Sequence, residues 1–186
     1  MREELEAKIR LRDCREAEKI RKRLVERGGI LVERVVEIDA YYQHPCRDFS
    51  RTDEALRIRV SENNGSRRVK VAYKGPREIK GVAKSREEIE VEVGGESIRD
   101  LLERLGFRRV AVVEKTREYY SVAGGRLIVS IDEVKGLGCF IEVEARRGEV
   151  EAIEAFLEEV GLEGYKPIYK SYLELILEEK HSTSPR

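Results

Sequence analysis

Residues Glu3–Leu11 read EELEAKIRL. In steps of two, Glu4, Glu6, Lys8 and Arg10 fall on one side, and Leu5, Ala7, Ile9 and Leu11 on the other. Successive side chains of a strand point to opposite faces, so this alternation predicts a β-strand with one charged and one apolar face. An edge strand with a solvated face carries that pattern. So does a strand whose charged face points into an enclosed space, and the fold turns on which of the two applies.

The same two-faced pattern recurs along the chain. Arg57 and Arg59 oppose Leu56, Ile58 and Val60 in ALRIRV, and Lys70 and Lys74 oppose Val69, Val71 and Tyr73 in RVKVAYK. Arg86, Glu88 and Glu90 oppose Ile89, Val91 and Val93. Lys115, Arg117 and Tyr119 share a face, as do Ile128, Ser130 and Asp132. Glu142, Glu144 and Arg146 oppose Ile141, Val143 and Ala145. A further strand covers 30–43 and ends at His44-Pro45. Asn63-Asn64-Gly65 and Gly124-Gly125 mark hairpins, and Gly75-Pro76 a break. Asp13, with Glu16 three residues on, reads as a capping box opening a helix that stops at Gly28-Gly29. Residues 46–54 read as a loop or short helical turn. Further helices are expected over 96–106, 149–160 and 170–180, then a frayed polar tail at 181–186.

These elements amount to eight strands and four helices without a regular βα alternation, which argues against a doubly wound parallel sheet. A charged strand face is ordinarily a solvated one, and an open antiparallel sheet over helices accounts for the pattern. Two features favour a barrel with a polar interior and helices outside. The charges segregate by strand, and nearly every strand carries a charged face. Eight strands enclose room for one small ligand. A lumen lined by Lys and Arg is repulsive when empty and calls for a polyanion. Carboxylates at spacing two, such as Glu4 with Glu6 and Glu142 with Glu144, are hard oxygen ligands suited to Mg²⁺ or Mn²⁺ bridged to phosphate.

The chain has 186 residues, and its 37 Lys+Arg balance 37 Asp+Glu. That length suits a single domain, placed at 1–180 with the tail at 181–186. Zero net charge argues against nucleic-acid and membrane-surface binding as general partners. No apolar run approaches the roughly 18 residues of a membrane span. Charge from Arg2 onward leaves no secretory core, so a cytoplasmic location is expected. Cys14, Cys46 and Cys139 are odd in number and widely spaced, which predicts reduced thiols. A charged fraction of 40% with one Met and few amides is common in heat-adapted proteins. Sheet edges near residues 64 and 124 are candidate contacts for a homodimer.

Glu4-x-Glu6-x-Lys8 resembles the N-terminal signature of the CYTH, or triphosphate tunnel metalloenzyme, superfamily. DAYYQHPCRDFSRTDEALRIR (39–59) and YKGP (73–76) resemble its class IV adenylate cyclase branch, and KTREYY, IDEVKGLGCFIEVE and KSYLEL follow in order. The resemblance spans about residues 3–175. It implies an α+β, mainly β fold: an eight-stranded antiparallel closed barrel with helices outside and a triphosphate bound within. It implies an enzyme dependent on Mg²⁺ or Mn²⁺ that converts ATP to cyclic AMP and pyrophosphate. An inorganic tripolyphosphatase, an organic (thiamine) triphosphate phosphohydrolase and a non-catalytic polyphosphate- or nucleotide-binding module are the alternatives, so the expected partner is a nucleoside triphosphate or inorganic polyphosphate. By motif position, Glu4, Glu6, Asp132, Glu142 and Glu144 are the metal candidates. Lys8, Arg57, Arg59, Lys70, Lys74, Arg86, Lys115 and Arg117 are the phosphate-binding candidates, with Lys8, Lys115 and Arg117 catalytic. Glu88 and Glu90 are expected to pair with lumenal arginines, and Tyr41 and Tyr42 to pack in the core or at the rim.

Overall fold

The computed structural model describes residues 2–145 and 149–183, with the backbone alone for residues 2 and 181–183. Nine strands run in chain order as β1 Arg2–Arg10, β2 Ile30–Gln43, β3 Ala55–Asn63, β4 Ser66–Lys74, β5 Glu78–Lys80, β6 Ala83–Val93, β7 Arg108–Val122, β8 Leu127–Val134 and β9 Gly138–Ala145. Five helices accompany them: α1 Arg15–Glu26, α2 Phe49–Thr52, α3 Ser97–Arg104, α4 Val150–Glu159 and α5 Tyr172–Thr183. The strands hydrogen-bond in the order β1-β9-β8-β7-β2-β3-β4-β6, and a β1–β6 pairing closes the ring. Every described pairing is antiparallel. The short β5 pairs with the start of β6 alone and stands outside the eight-stranded barrel.

Closure answers the question raised by EELEAKIRL. Leu5, Ala7 and Ile9 point outward, into a core shared with Ile20 and Leu24 of α1 and Ile153, Phe156 and Leu157 of α4. A second core sets Ile58, Val60, Val69 and Tyr42 against Leu102 of α3. A third is inside the barrel at one end, where Val113, Val134 and Phe140, which share the inward parity of Lys115, Asp132 and Glu142, pack against Tyr41 and the α5 segment. Elsewhere the apolar faces look out toward helices, and the charged faces look in. Burying a Leu or Ile side chain stabilises the fold by about 1.5–3 kcal/mol, so these helical contacts fix which face each strand turns inward. Cover is incomplete on β6, where Ile89 and Val91 remain exposed.

The β3–β4 turn is a two-residue Asn64-Gly65 loop with both residues at positive φ, which suits a right-twisted hairpin. The edges expected near residues 64 and 124 are not free, because these turns join strands paired within the closed ring. The α1 start is shifted by one residue from its expected place. Cys14 holds the N-cap position without a side-chain bond, while Asp13 accepts from Arg15 N and Glu16 from Arg12 N. The expectation of reduced thiols fails for two cysteines. The β1–β9 register sets Arg10 opposite Phe140, and Leu11 N donates to Cys139 O. The chain then turns Cys14 back over Cys139, and the two form a disulfide across 125 residues of sequence. Cys46 is a free, exposed thiol. Helix α5 runs three residues into the segment expected as a tail, and residues 184–186 lie outside the described residues, as does Arg146.

Candidate active site

The barrel interior is a cavity of about 760 Å³. Strand register decides which charges meet inside it. Glu6 stands opposite Glu144 and Lys8 opposite Glu142 across β1–β9. Glu4 stands opposite Arg86 and Glu6 opposite Lys84 across β1–β6. Asp39 faces Arg59 across β2–β3, and Glu37 faces Lys115 across β2–β7. Arg117 faces Asp132 across β7–β8.

Ion pairs follow from this register. Asp39 accepts from Arg59 Nε at 2.6 Å, Arg59 Nη2 at 2.7 Å and Lys115 Nζ at 2.8 Å. Glu37 sits 2.9 Å from Lys115 Nζ and 3.1 Å from Arg59 Nη1. Lys74 bridges Glu4 at 2.7 Å and Glu88 at 3.0 Å. Lys84 lies 3.1 Å from Glu6, and Lys8 lies 3.2 Å from Glu142. Arg117 donates to Asp132 and Glu142, and Lys70 to Glu90. Arg57 lies 3.4 Å from Glu90 and 3.7 Å from Glu88, the arginine pairing expected of those two glutamates.

Burial raises the Glu37 carboxyl's pKa, but Arg59, Lys115 and Arg117 outweigh it and hold the group down at about 2. Asp39 behaves alike: burial opposes ionisation, and Arg59, Lys115 and Arg57 drive it well below the usual carboxylate range. Desolvation lowers Lys84 to about 8, only partly offset by Glu6.

The lumen is not the basic cavity that the strand pattern predicts. Among the described residues nine carboxylates and eight cations line it. Glu33, Glu37 and Asp39 of β2 supply the acidic charge that sequence reading left out. The lumen is therefore close to neutral and largely cross-paired. Two donors make no hydrogen bond: the Nε–H groups of Arg57 and Arg86 are buried without one, and Arg86 Nε lies 3.6 Å from Glu4.

The structure gathers all thirteen candidate residues inside the barrel. Eleven line the cavity, while Lys115 and Asp132 are buried behind Tyr172. The Tyr172 hydroxyl donates to Asp132 at 2.6 Å, and Lys8 Nζ lies 4.0 Å from its ring centroid. Tyr172 and Lys84 escaped sequence reading, although Lys84 shares strand parity with Arg86. Tyr41 lines the lumen, and Tyr42 packs outward under α3. His44 accepts from Cys46 N and Arg47 N at the loop after β2 and takes no part in the site.

No three His, Cys, Asp or Glu among the described residues converge into a ready-made metal centre. The donor set nevertheless fits a divalent cation. Glu6 and Glu144 stand directly opposite on neighbouring strands and set two hard oxygen donors side by side, with Lys84 beside Glu6. Oxygen ligands from a bound phosphate would complete the shell.

A closed antiparallel barrel with helices outside and paired acidic and basic walls within defines a class of barrels with a charged, enclosed lumen. The CYTH domain model matches residues 2–176, and this chain belongs to the CYTH family. Across 180 residues it is 36% identical to the Methanocaldococcus jannaschii protein named "Putative adenylate cyclase MJ0240", covering 92% of this chain and 97% of that one. The PH1819 protein of Pyrococcus horikoshii OT3 is similar in structure, with a TM-score of 0.80 and 41% identity over 95% of this chain and 99% of that chain. HpAC1 from Hippeastrum, described as revealing a dominant triphosphatase activity, shares the fold at a TM-score of 0.71 and 20% identity over 95% of this chain and 96% of that chain.

Proposed function

We propose that the chain is a divalent-metal-dependent enzyme that processes triphosphates in the barrel lumen, converting ATP to cyclic AMP and pyrophosphate. The observation that carries the reading is the pair of Nε–H groups, of Arg57 and Arg86, that make no hydrogen bond in a lumen that also sets Glu6 beside Glu144. Buried N–H groups without partners cost free energy until an anion accepts from them. Glu6 and Glu144, with Glu4 and Glu142 beside them, would hold Mg²⁺ or Mn²⁺, which when bound withdraws charge from phosphate oxygens. Asp132, the fifth metal candidate, accepts from Arg117 and Tyr172 on the same side of the lumen.

A triphosphate enters a lumen whose cations are already engaged. A divalent cation held by Glu6 and Glu144 would supply positive charge to the wall that also carries Glu4 and Glu142, so that their partners Lys74 and Arg117 can turn to phosphate. This exchange is the physical reason for metal dependence. Arg57, Arg86 and Arg117 then hold the phosphates by charge-assisted bonds, and their fixed positions stabilise the charge that spreads during transfer. In the cyclase reading the ribose 3′ oxygen bonds to the α-phosphorus. The bond from that phosphorus to the bridging oxygen breaks, pyrophosphate leaves with the electron pair, and the hydroxyl proton passes to solvent.

A triphosphatase is the second reading. It draws on the cavity's modest apolar lining near the mouth, Val32, Tyr119 and Ile128, since inorganic triphosphate satisfies the lumen's donors without a surface for a base. Incubation with ATP, tripolyphosphate or thiamine triphosphate, each with Mg²⁺ or Mn²⁺, separates them. Cyclic AMP and pyrophosphate from ATP support the first reading, and orthophosphate from any of the three supports the second. No product from any substrate with either metal removes both.

A further inference from the structure

The lumen has two geometrically distinct ends. Segment 167–172 is strapped across one of them. Ile168 N donates to Lys8 O, Lys8 Nζ donates to Lys170 O at 3.1 Å, and Lys84 Nζ donates to Tyr169 O at 3.1 Å. Arg77 locks the strap from outside, donating to Tyr169 O, Asp53 and Glu174. Tyr172 then fills the floor, bonded to Asp132.

Side-chain exposure falls steadily along the lumen toward that floor. Arg68 and Lys70 are 44% and 37% exposed. Lys74, midway, is 8% exposed. Lys8 and Lys84 are 2% exposed, and Lys115 is 0%. Lysines at an end open to water would keep their ammonium groups in it. Here they are deepest, and the exposed basic residues mark the only mouth among the described residues.

We propose that the lumen is a one-ended socket, which takes only phosphate chains with a free terminal phosphate and takes them end-first. This deepens the triphosphate reading and rests on it. The terminal phosphates go toward Lys8 at the Tyr172 floor, and whatever the chain carries beyond them stays at the mouth. A barrel open at both ends would instead let a thin polymer thread through, so interior phosphates would bind as well as ends.

The test is stoichiometry. Linear polyphosphate of a short and a long mean length is titrated with the full chain in the cold with Mg²⁺, with chain length verified before and after. Only binding displaced by excess tripolyphosphate is scored. The one-ended socket predicts two protein molecules per polymer, one at each end, at both lengths, and loss of binding when both ends are capped as phosphate esters. Occupancy that grows with length, or capped chains that bind as well as free ones, overturns the proposal and leaves the triphosphate reading standing. Failure of tripolyphosphate itself to bind overturns both.

Discussion

Asp39 is the residue on which the lumen's cations most depend, since it accepts from Arg59 twice and from Lys115 once while fully buried. Removing one partner from a buried ion network leaves an uncompensated charge, at a cost of about 3–5 kcal/mol. Asp39→Ala should lose stability on that scale in urea unfolding, and a loss near zero would show the network to be dispensable. The same residues set an acid limit. Glu37 and Asp39 have depressed folded pKa values, so the stability they contribute is complete above the unfolded carboxylate value of about 4. It drains away as pH falls toward about 2, where Glu37 titrates in the fold. Thermal melts should be level from neutral pH to about pH 5 and fall steeply below it. An unchanged melting temperature at the acid end would contradict the pairing. Glu4, Glu6 and Lys8 were legible because β1 alternates cleanly. Glu37 and Asp39 were not. Val35 and Tyr41 of β2 also face the lumen, and an irregular register near Leu31 and Glu33 blurs the period of two.

Elements carry the next set of expectations. The Cys14–Cys139 disulfide ties the start of α1 to the start of β9. Closing a loop of more than 100 residues removes unfolded-chain entropy worth up to about 5 kcal/mol. Cys14→Ser should therefore lower the melting temperature by several degrees, as should reduction, with turnover per folded molecule unchanged. A melting curve indifferent to reductant would sink that account. This bond was invisible in the sequence, because only the β1–β9 pairing brings residues 125 apart into reach. The eight barrel strands, the hairpins and the four longer helices were legible, since each rests on local periodicity or turn chemistry, while the three-residue β5 was not. The strap over 167–172 was not. It has no periodicity, and its hold comes from distant partners such as Lys8, Lys84 and Arg77.

At the scale of the whole molecule the near-neutral lumen sets the energetics. Nine carboxylates against eight cations give a bare polyanion little net attraction. Metal and triphosphate should bind with positive coupling, each raising the other's affinity by the same factor. Ligands that bind only the folded barrel stabilise it by RT ln(1 + [L]/Kd), about 2.7 kcal/mol at a hundredfold excess over Kd. Melts with tripolyphosphate alone or Mg²⁺ alone should shift little, and melts with both should shift by that amount. Equal shifts with and without metal would contradict the exchange of partners. The central claim is that the lumen binds a triphosphate on Arg57 and Arg86 with a metal at Glu6 and Glu144. A crystal grown with tripolyphosphate and Mn²⁺, with anomalous scattering recorded for manganese, tests it most directly. The account predicts phosphate oxygens accepting from both Nε–H groups and an anomalous peak between the two glutamates. Phosphate density confined to the outer surface, with an empty lumen and no manganese peak at Glu6 and Glu144, would contradict it.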